Sequence, residues 1–159
     1  MCVAASLTGC GSSARIHIAA PATRLSEFKT ALVQGSSDVE GATKEAIQLE
    51  ATVAMIAREI VPFQQVLTKR NVPDARVDLR VEARIVLLKK VTAESRAARG
   101  MLAGRARVAA DVVLIEVTTG AVVGRFTVEG QSSGVGTTEQ AIRRASEQLV
   151  AFVLARFNG

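Results

Sequence analysis

The sequence is poor in aromatic residues and in the residue types that most often carry out chemistry. Its 159 residues include no tryptophan, no tyrosine and five phenylalanines, together with one histidine and two cysteines. The scarcity of aromatic rings argues against a platform that stacks on sugars or on the bases of single-stranded nucleic acid. No segment approaches the roughly 20 consecutive apolar residues that a membrane-spanning helix requires.

The single histidine, His17, restricts the catalytic and metal chemistry that the chain could perform. A Ser-His-Asp or Cys-His arrangement would have to use it, and no nucleophile turn lies near it. One histidine without a pair of available cysteines does not make a zinc ligand set. Asp111 and Glu116 lie at an odd spacing in one predicted strand, so they point to opposite faces. We therefore predict no enzyme activity, no metal and no cofactor. Asp111 is expected to lie inward or at a sheet edge and to pair with Arg105 or Arg107.

The chain begins with a short apolar run that ends in Leu7-Thr8-Gly9-Cys10. This is the form of the box at the end of a bacterial lipoprotein signal, where the cysteine thiol becomes lipidated and small neighbours fit the signal peptidase. Residues 1–9 lack the Lys or Arg of a full signal peptide, so we expect that Met1 is internal or that the chain has been trimmed. Residues 1–15 are then a truncated signal remnant and tether.

The box also changes how the two cysteines are interpreted. Cys2 would be removed with the signal and Cys10 would carry lipid, so no disulfide would form. Several acyl chains on one cysteine give stable membrane anchoring. Similarity to Gram-negative lipoproteins, with Gly11 and Ser12 after the cysteine and no Asp, implies sorting to the periplasmic face of the outer membrane.

The net charge of +5 and the pI near 9.9 favour anionic partners. A basic stretch at residues 89–107, whose one acidic residue is Glu94, could bind phosphate groups of lipid or nucleic acid, or could be a solvated loop. Its candidate anion-binding residues are Lys89, Lys90, Arg96, Arg99, Arg105 and Arg107. The Gly-rich segment at 130–140 follows a predicted strand and opens a helix, but it lacks the lysine of a phosphate loop.

Apolar periodicity predicts the order β–α–β–β–β–α. Strands are expected near residues 16–20, 75–91, 105–117 and 121–130, with a hairpin at Thr119-Gly120. One helix is expected to start after Ser37 or Asp38 and to run to Pro62, with a further turn or two in 63–71. The other follows a Thr137–Gln140 capping box and ends near residue 157. Residues 25–37 and 92–104 are predicted to be irregular.

We therefore predict a two-layer α+β fold in one domain, residues 16–159. An antiparallel-rich sheet of about four strands would carry two helices on one face.

The segment "GRARVAADVVLIEVTTGAVVGRFTVEGQSSG" resembles a family of uncharacterised bacterial lipoproteins, domain of unknown function 4410. Glu116 stands at the position of that family's hairpin acid, before Thr119-Gly120. The resemblance covers most of residues 15–157 and implies an α/β domain with no assigned catalytic residues. At fold level the chain is also similar to small periplasmic α/β modules of outer-membrane lipoproteins.

Two functions follow as expectations. The first is a non-enzymatic envelope lipoprotein that is held at the membrane by a lipid anchor and binds another envelope protein or a second copy of itself. The alternative is a cytoplasmic domain that binds nucleic acid or another anionic ligand through residues 89–107.

Overall fold

A computed structural model describes residues 15–18, 25–71 and 76–157, which form one sheet with its helices. Cys2, Cys10 and most of the predicted tether lie outside the described residues. The strands are β1 (Arg15–Ile18), β2 (Thr30–Ser37), β3 (Gln65–Thr68), β4 (Leu79–Lys89), β5 (Arg107–Glu116) and β6 (Val122–Gln131). The α-helices are α1 (Thr43–Ile60), α2 (Ala93–Arg99) and α3 (Thr138–Phe157), and short 3-10 helices lie at Leu25–Glu27, Lys69–Asn71 and Gly100–Ala103.

The six strands are arranged in the order β1-β6-β5-β4-β2-β3. β4, β5, β6 and β1 are antiparallel neighbours, whereas β2 pairs in parallel with both β4 and β3. The long helices α1 and α3 contact each other on the same face of the sheet. The protein therefore has a mixed α+β fold with an antiparallel-rich sheet and its two long helices on one side.

The core lies between these two helices and the sheet. Successive strand residues point to opposite faces, so β4, β5 and β6 each bury alternate side chains under the helices. The fully buried large side chains include Ile85, Val112, Leu114 and Phe126 from the strands and Leu49, Val53, Ile142 and Leu149 from the helices. None of the helices in the described ranges is both long and apolar enough to cross a membrane.

Two glycines allow the long helices to lie directly on the sheet. A Cβ atom on Gly35 of β2 would overlap the carbonyl oxygen of Ala46 in α1. A Cβ atom on Gly130 of β6 would overlap the carbonyl oxygen of Ala141 in α3. In both pairs the helical residue follows the glycine by 11 positions. The β2–α1 and β6–α3 units therefore share the same close contact between strand and helix.

The carboxylate of Glu50 stabilises the β2–α1 unit through hydrogen bonds. This residue of α1 is buried, and its two oxygens accept hydrogen bonds from the backbone N–H groups of Gly35 (2.8 Å) and Lys69 (3.0 Å). A buried carboxylate requires such partners, because leaving it unbonded costs several kcal/mol. Glu50 therefore joins α1 to β2 and to the residue that follows β3.

The prediction of four strands and two helices is wrong in number at three places. β2 lies within the segment 25–37 that the sequence predicts to be irregular, because Gly35 is required for helix contact and does not break the strand. β3 lies in the segment predicted to extend the first helix beyond Pro62. α2 lies in the predicted loop 92–104, where the Thr92 hydroxyl accepts a hydrogen bond from the Ser95 N–H (3.1 Å) and caps the helix.

The predicted helix starts also differ from those observed. α1 begins at Thr43, because the Ser37 hydroxyl accepts the Val39 N–H (3.0 Å) in a local turn and does not cap a helix. The capping box at the start of α3 is wrong as well. The carboxamide oxygen of Gln140 accepts hydrogen bonds from the N–H and hydroxyl of Ser133 (2.8 and 3.0 Å).

Candidate functional site

One end of the sheet collects the segments that carry the predicted site residues. β4 and β6 end there and β5 begins there, because β5 is antiparallel to both. α2, the 3-10 helix at Gly100–Ala103 and the β6–α3 loop (residues 132–137) lie at this end of the strands, which we call the tip end. The β5–β6 turn at residues 117–121 lies at the opposite end.

Arg96 holds the tip end together. Its guanidinium donates hydrogen bonds to four backbone carbonyl oxygens, those of Gly100 (2.8 Å), Gly104, Gly134 and Gly136 (2.7 Å each). Gly100 is the first residue of the 3-10 helix and Gly104 follows it, while the other two carbonyls belong to the β6–α3 loop. Arg96 therefore joins two segments of the chain, and its terminal N–H groups point at the protein's own backbone.

Lys90 and Arg107 are each engaged in an ion pair. Lys90 lies 2.9 Å from a carboxylate oxygen of Glu45. Burial raises the pKa of Glu45, but the hydrogen bond and charge of Lys90, with help from the backbone, outweigh burial, and the pKa falls below its ordinary value. Arg107 donates to Glu129 at 2.7 Å, and the hydrogen bond and negative charge of that partner raise the pKa of Arg107.

The other three predicted anion-binding residues, Lys89, Arg99 and Arg105, are exposed. None of them forms an ion pair within the part of the chain that the structure describes. The Nζ atom of Lys89 lies beside Gly104, and Gly104 belongs to the α2–β5 connection that also carries Arg99 and Arg105. Anion binding by the six residues stays a prediction, and these three are the exposed ones without an ion-pair partner in the described ranges.

An apolar surface lies in the same place. Leu102, Met101 and Val135 are 92%, 76% and 71% exposed, more than any other large apolar side chain of the described residues. The Met101 methyl group lies against Gly134, so the 3-10 helix and the β6–α3 loop are in contact. We call these three residues the apolar tip. Sequence reasoning missed it, although a Met-Leu pair between two glycines within a basic stretch was the available signal.

Hydrogen bonds to Ala106 and Arg96 hold the Gly-rich β6–α3 loop in place. Ser132 and Ala106 exchange two of them, one from each backbone N–H, at 2.9 Å each. Its carbonyls at Gly134 and Gly136 accept from Arg96. These bonds fit a turn from strand to helix better than a cradle for a phosphate group.

Asp111 is neither inward nor at a sheet edge, the two positions predicted for it, because β5 lies between β6 and β4. It lies on the sheet face that the long helices leave uncovered, where its carboxylate accepts the Thr127 hydroxyl (2.8 Å) and lies 3.9 Å from Arg84. The residues of β5 that join the core under the helices belong to the other parity, which includes Val112 and Leu114. The predicted pairing with Arg105 or Arg107 is therefore wrong, because Arg84 comes from the neighbouring strand β4.

Two further features of the described residues bear on possible chemistry. No group of three or more His, Cys, Asp and Glu among them is placed to hold a metal ion. A narrow pocket between α1, α3 and the sheet is lined by apolar side chains such as Val33, Val53 and Phe63. His17 lies within β1. The exposed cations and apolar side chains of the tip end make it the candidate binding surface of the described structure.

Comparison with known proteins gives structural relatives and no sequence relatives. No family model and no curated protein matches the chain, so the resemblance to domain of unknown function 4410 is not confirmed.

The PelC dodecamer from Paraburkholderia phytofirmans is 18% identical with a TM-score of 0.63, over 92% of this chain and 96% of that chain. A Xanthomonas campestris protein of domain of unknown function 330 is 13% identical with a TM-score of 0.55, over 82% and 86%. A Neisseria meningitidis lipoprotein is a weaker likeness, 11% identical with a TM-score of 0.45, over 81% and 97%. The chain therefore has the fold of the first two bacterial proteins.

Proposed function

We propose that this chain is the globular part of a lipid-anchored bacterial envelope protein that binds another envelope component and catalyses no reaction. Cys10 carries the lipid, residues 11–15 connect it to the fold, and the domain faces the periplasm from the outer membrane. The observation that carries this proposal is the Leu7-Thr8-Gly9-Cys10 box, which lies a few residues before the first strand.

The direction of β1 supports a membrane anchor at this position. β1 is antiparallel to β6, with Arg15 opposite Thr127 and Ile18 opposite Arg125. The chain therefore enters β1 from the tip end, where β6 finishes. A lipid on Cys10 would then be attached at the same end of the molecule as the apolar tip.

The contacts of the basic residues weaken the cytoplasmic nucleic-acid alternative. Lys90, Arg96 and Arg107 already bond carboxylates or carbonyls of this chain. Three exposed cations without aromatic rings are few for nucleic-acid binding, which depends on many phosphate contacts. We therefore do not favour nucleic acid as the partner.

Lipidation is tested by metabolic labelling with a clickable fatty acid in the native host, with the gene expressed from its own locus. The wild type and a Cys2→Ala control should both be labelled, because Cys2 would be removed with the signal. Cys10→Ala should lose the label entirely, because the thioether to the lipid cannot form. Equal labelling of wild type and Cys10→Ala would remove the anchor from the proposal.

We also propose that the chain binds further copies of itself, and the dodecameric state of the similar PelC protein supports this. Light scattering of the membrane-extracted protein in detergent should give a protein mass of several mature chains, each somewhat lighter than the 16.7 kDa of all 159 residues. That mass should persist on dilution through the micromolar range. A single-chain mass at every concentration would contradict self-association.

A further inference from the structure

We propose that the tip end is a membrane-docking surface: the apolar tip enters the headgroup region of a bilayer while Lys89, Arg99 and Arg105 bind anionic lipid headgroups. The proposal builds on the lipid anchor for its place in the cell. Docking itself requires no acyl chain, so it can be tested separately from lipidation.

The exposed apolar side chains give the first reason. Leu102 and Met101 project from a short 3-10 helix, and Val135 from the loop beside it, all more than two-thirds exposed. Scattered single apolar residues on a surface are ordinary, but these three lie together on two segments that Arg96 holds in contact. Side chains so placed can insert into the boundary between lipid headgroups and acyl chains, as the apolar faces of interfacial helices do.

The charges around the apolar tip give the second reason. Lys89, Arg99 and Arg105 are exposed and have no ion-pair partner in the described ranges, whereas the other cations of residues 89–107 are bonded within the fold. The two elements that adjoin the apolar tip, α2 and the first turn of α3, carry the carboxylates Glu94 and Glu139, against the three cations that have no ion-pair partner. Glu45 and Glu129 at this end are already paired with Lys90 and Arg107. Each cation near an anionic leaflet contributes about 1 kcal/mol of attraction.

The strand register gives the third and independent reason. Arg15 pairs with Thr127, and β6 then continues to Gln131, which is a rise of about 13 Å at roughly 3.3 Å per residue. From Arg15 back to Cys10 the chain can span up to about 17 Å when extended. An acylated Cys10 can therefore lie at the level of the apolar tip, so the anchor and the tip can meet one bilayer.

The same features favour a lipid surface over a second copy at this site. Two copies that met tip to tip would bring their exposed cations together, and like charges in contact oppose association. An anionic bilayer offers both the apolar interior that the tip needs and the charge that the cations need. Self-association then uses other surfaces and leaves the tip end for the membrane.

A tryptophan reporter tests this docking, because the natural chain contains no tryptophan. The full chain carrying Cys10→Ser, which has no acyl chain, receives either Leu102→Trp at the tip or Val117→Trp at the opposite end of the sheet. Both positions are exposed, so both reporters should emit as solvated tryptophan in buffer. Circular dichroism and thermal melting establish that each variant is folded.

With vesicles of phosphatidylglycerol and phosphatidylethanolamine, L102W should shift its emission to the blue and V117W should not. The shift should fade in 0.5 M salt and in phosphatidylcholine vesicles. Adding Arg99→Gln and Arg105→Gln should weaken binding about thirtyfold, which corresponds to two cations at roughly 1 kcal/mol each. No shift in L102W, equal shifts in both reporters, or equal binding to neutral vesicles would overturn the proposal. Because Cys10 is replaced, a failure here leaves the labelling result for the anchor untouched.

Discussion

Gly130→Ala is expected to destabilise the protein by about 3 kcal/mol or more, at the upper end of what overpacking costs. The new methyl group would overlap the carbonyl oxygen of Ala141 and would lie 2.6 Å from the backbone nitrogen of Ala145. Both atoms belong to the backbone of α3, so no side-chain rotation can relieve the overlap. The helix must move away from β6 and give up contacts along its buried face.

Urea unfolding of Gly130→Ala and a matched Gly134→Ala variant measures this effect. A Cβ atom on Gly134 would meet the Met101 methyl carbon at 3.8 Å, an ordinary contact, so that variant should stay within about 0.5 kcal/mol of wild type. The slope of free energy against urea should be the same for both. Equal midpoints for the two variants would show that α3 does not lie directly on β6 at Gly130.

Arg96→Met is expected to lower the free energy of local unfolding of the tip end by about 3 kcal/mol. Hydrogen bonds from a charged donor are each worth about 1.5–3 kcal/mol, and four carbonyl oxygens lose theirs. Water can reach part of this surface, so the loss is less than the sum of four bonds. Methionine keeps the length and apolar stem of the side chain, which confines the change to the guanidinium.

The effect of Arg96→Met should be local, because Arg96 bonds connecting segments and no core strand. Hydrogen exchange at the N–H groups of Gly104 and Gly136 should accelerate, while exchange in the middle of β5 stays slow. Arg99→Met is the matched control, since Arg99 lies in the same helix and is exposed. Unchanged exchange at both glycines in Arg96→Met would show that this arginine does not hold the segments together.

The parts of the fold that the sequence predicts are those with a regular apolar period. β4, β5 and β6 alternate buried and exposed residues, and α1 and α3 carry apolar stripes, because each buries one face against the other layer. The alternation in β4 is correct as far as Ile85. It fails at Leu87, which is 41% exposed because the strand bulges between these residues.

The missed elements are those whose residues serve tertiary contacts. Gly35 breaks the strand pattern of β2 in sequence, yet it is present because α1 crosses there. β3 has four residues, too few for a period, and its parallel pairing with β2 depends on the path of the chain around α1. Strand order of this kind cannot be derived from the local pattern of either strand.

The sequence predicts where the candidate site lies but not which role each of its residues has. The basic stretch does lie at one end of the sheet, but the sequence cannot distinguish an arginine that faces solvent from one that bonds carbonyls. Arg96 and Arg99 are three residues apart in one short helix and differ in just this respect. Leu102 shows the converse, since an apolar residue in a basic stretch is expected to be covered and here is exposed.

The most direct measurement is mass spectrometry of the N-terminal peptide from protein extracted from the envelope of the native host. Lipidation at the box predicts a mature chain that starts at Cys10, with a diacylglyceryl group on its sulfur and no trace of residues 1–9. A chain that retains those residues, with an unmodified thiol at Cys10, would contradict the lipid-anchored envelope protein.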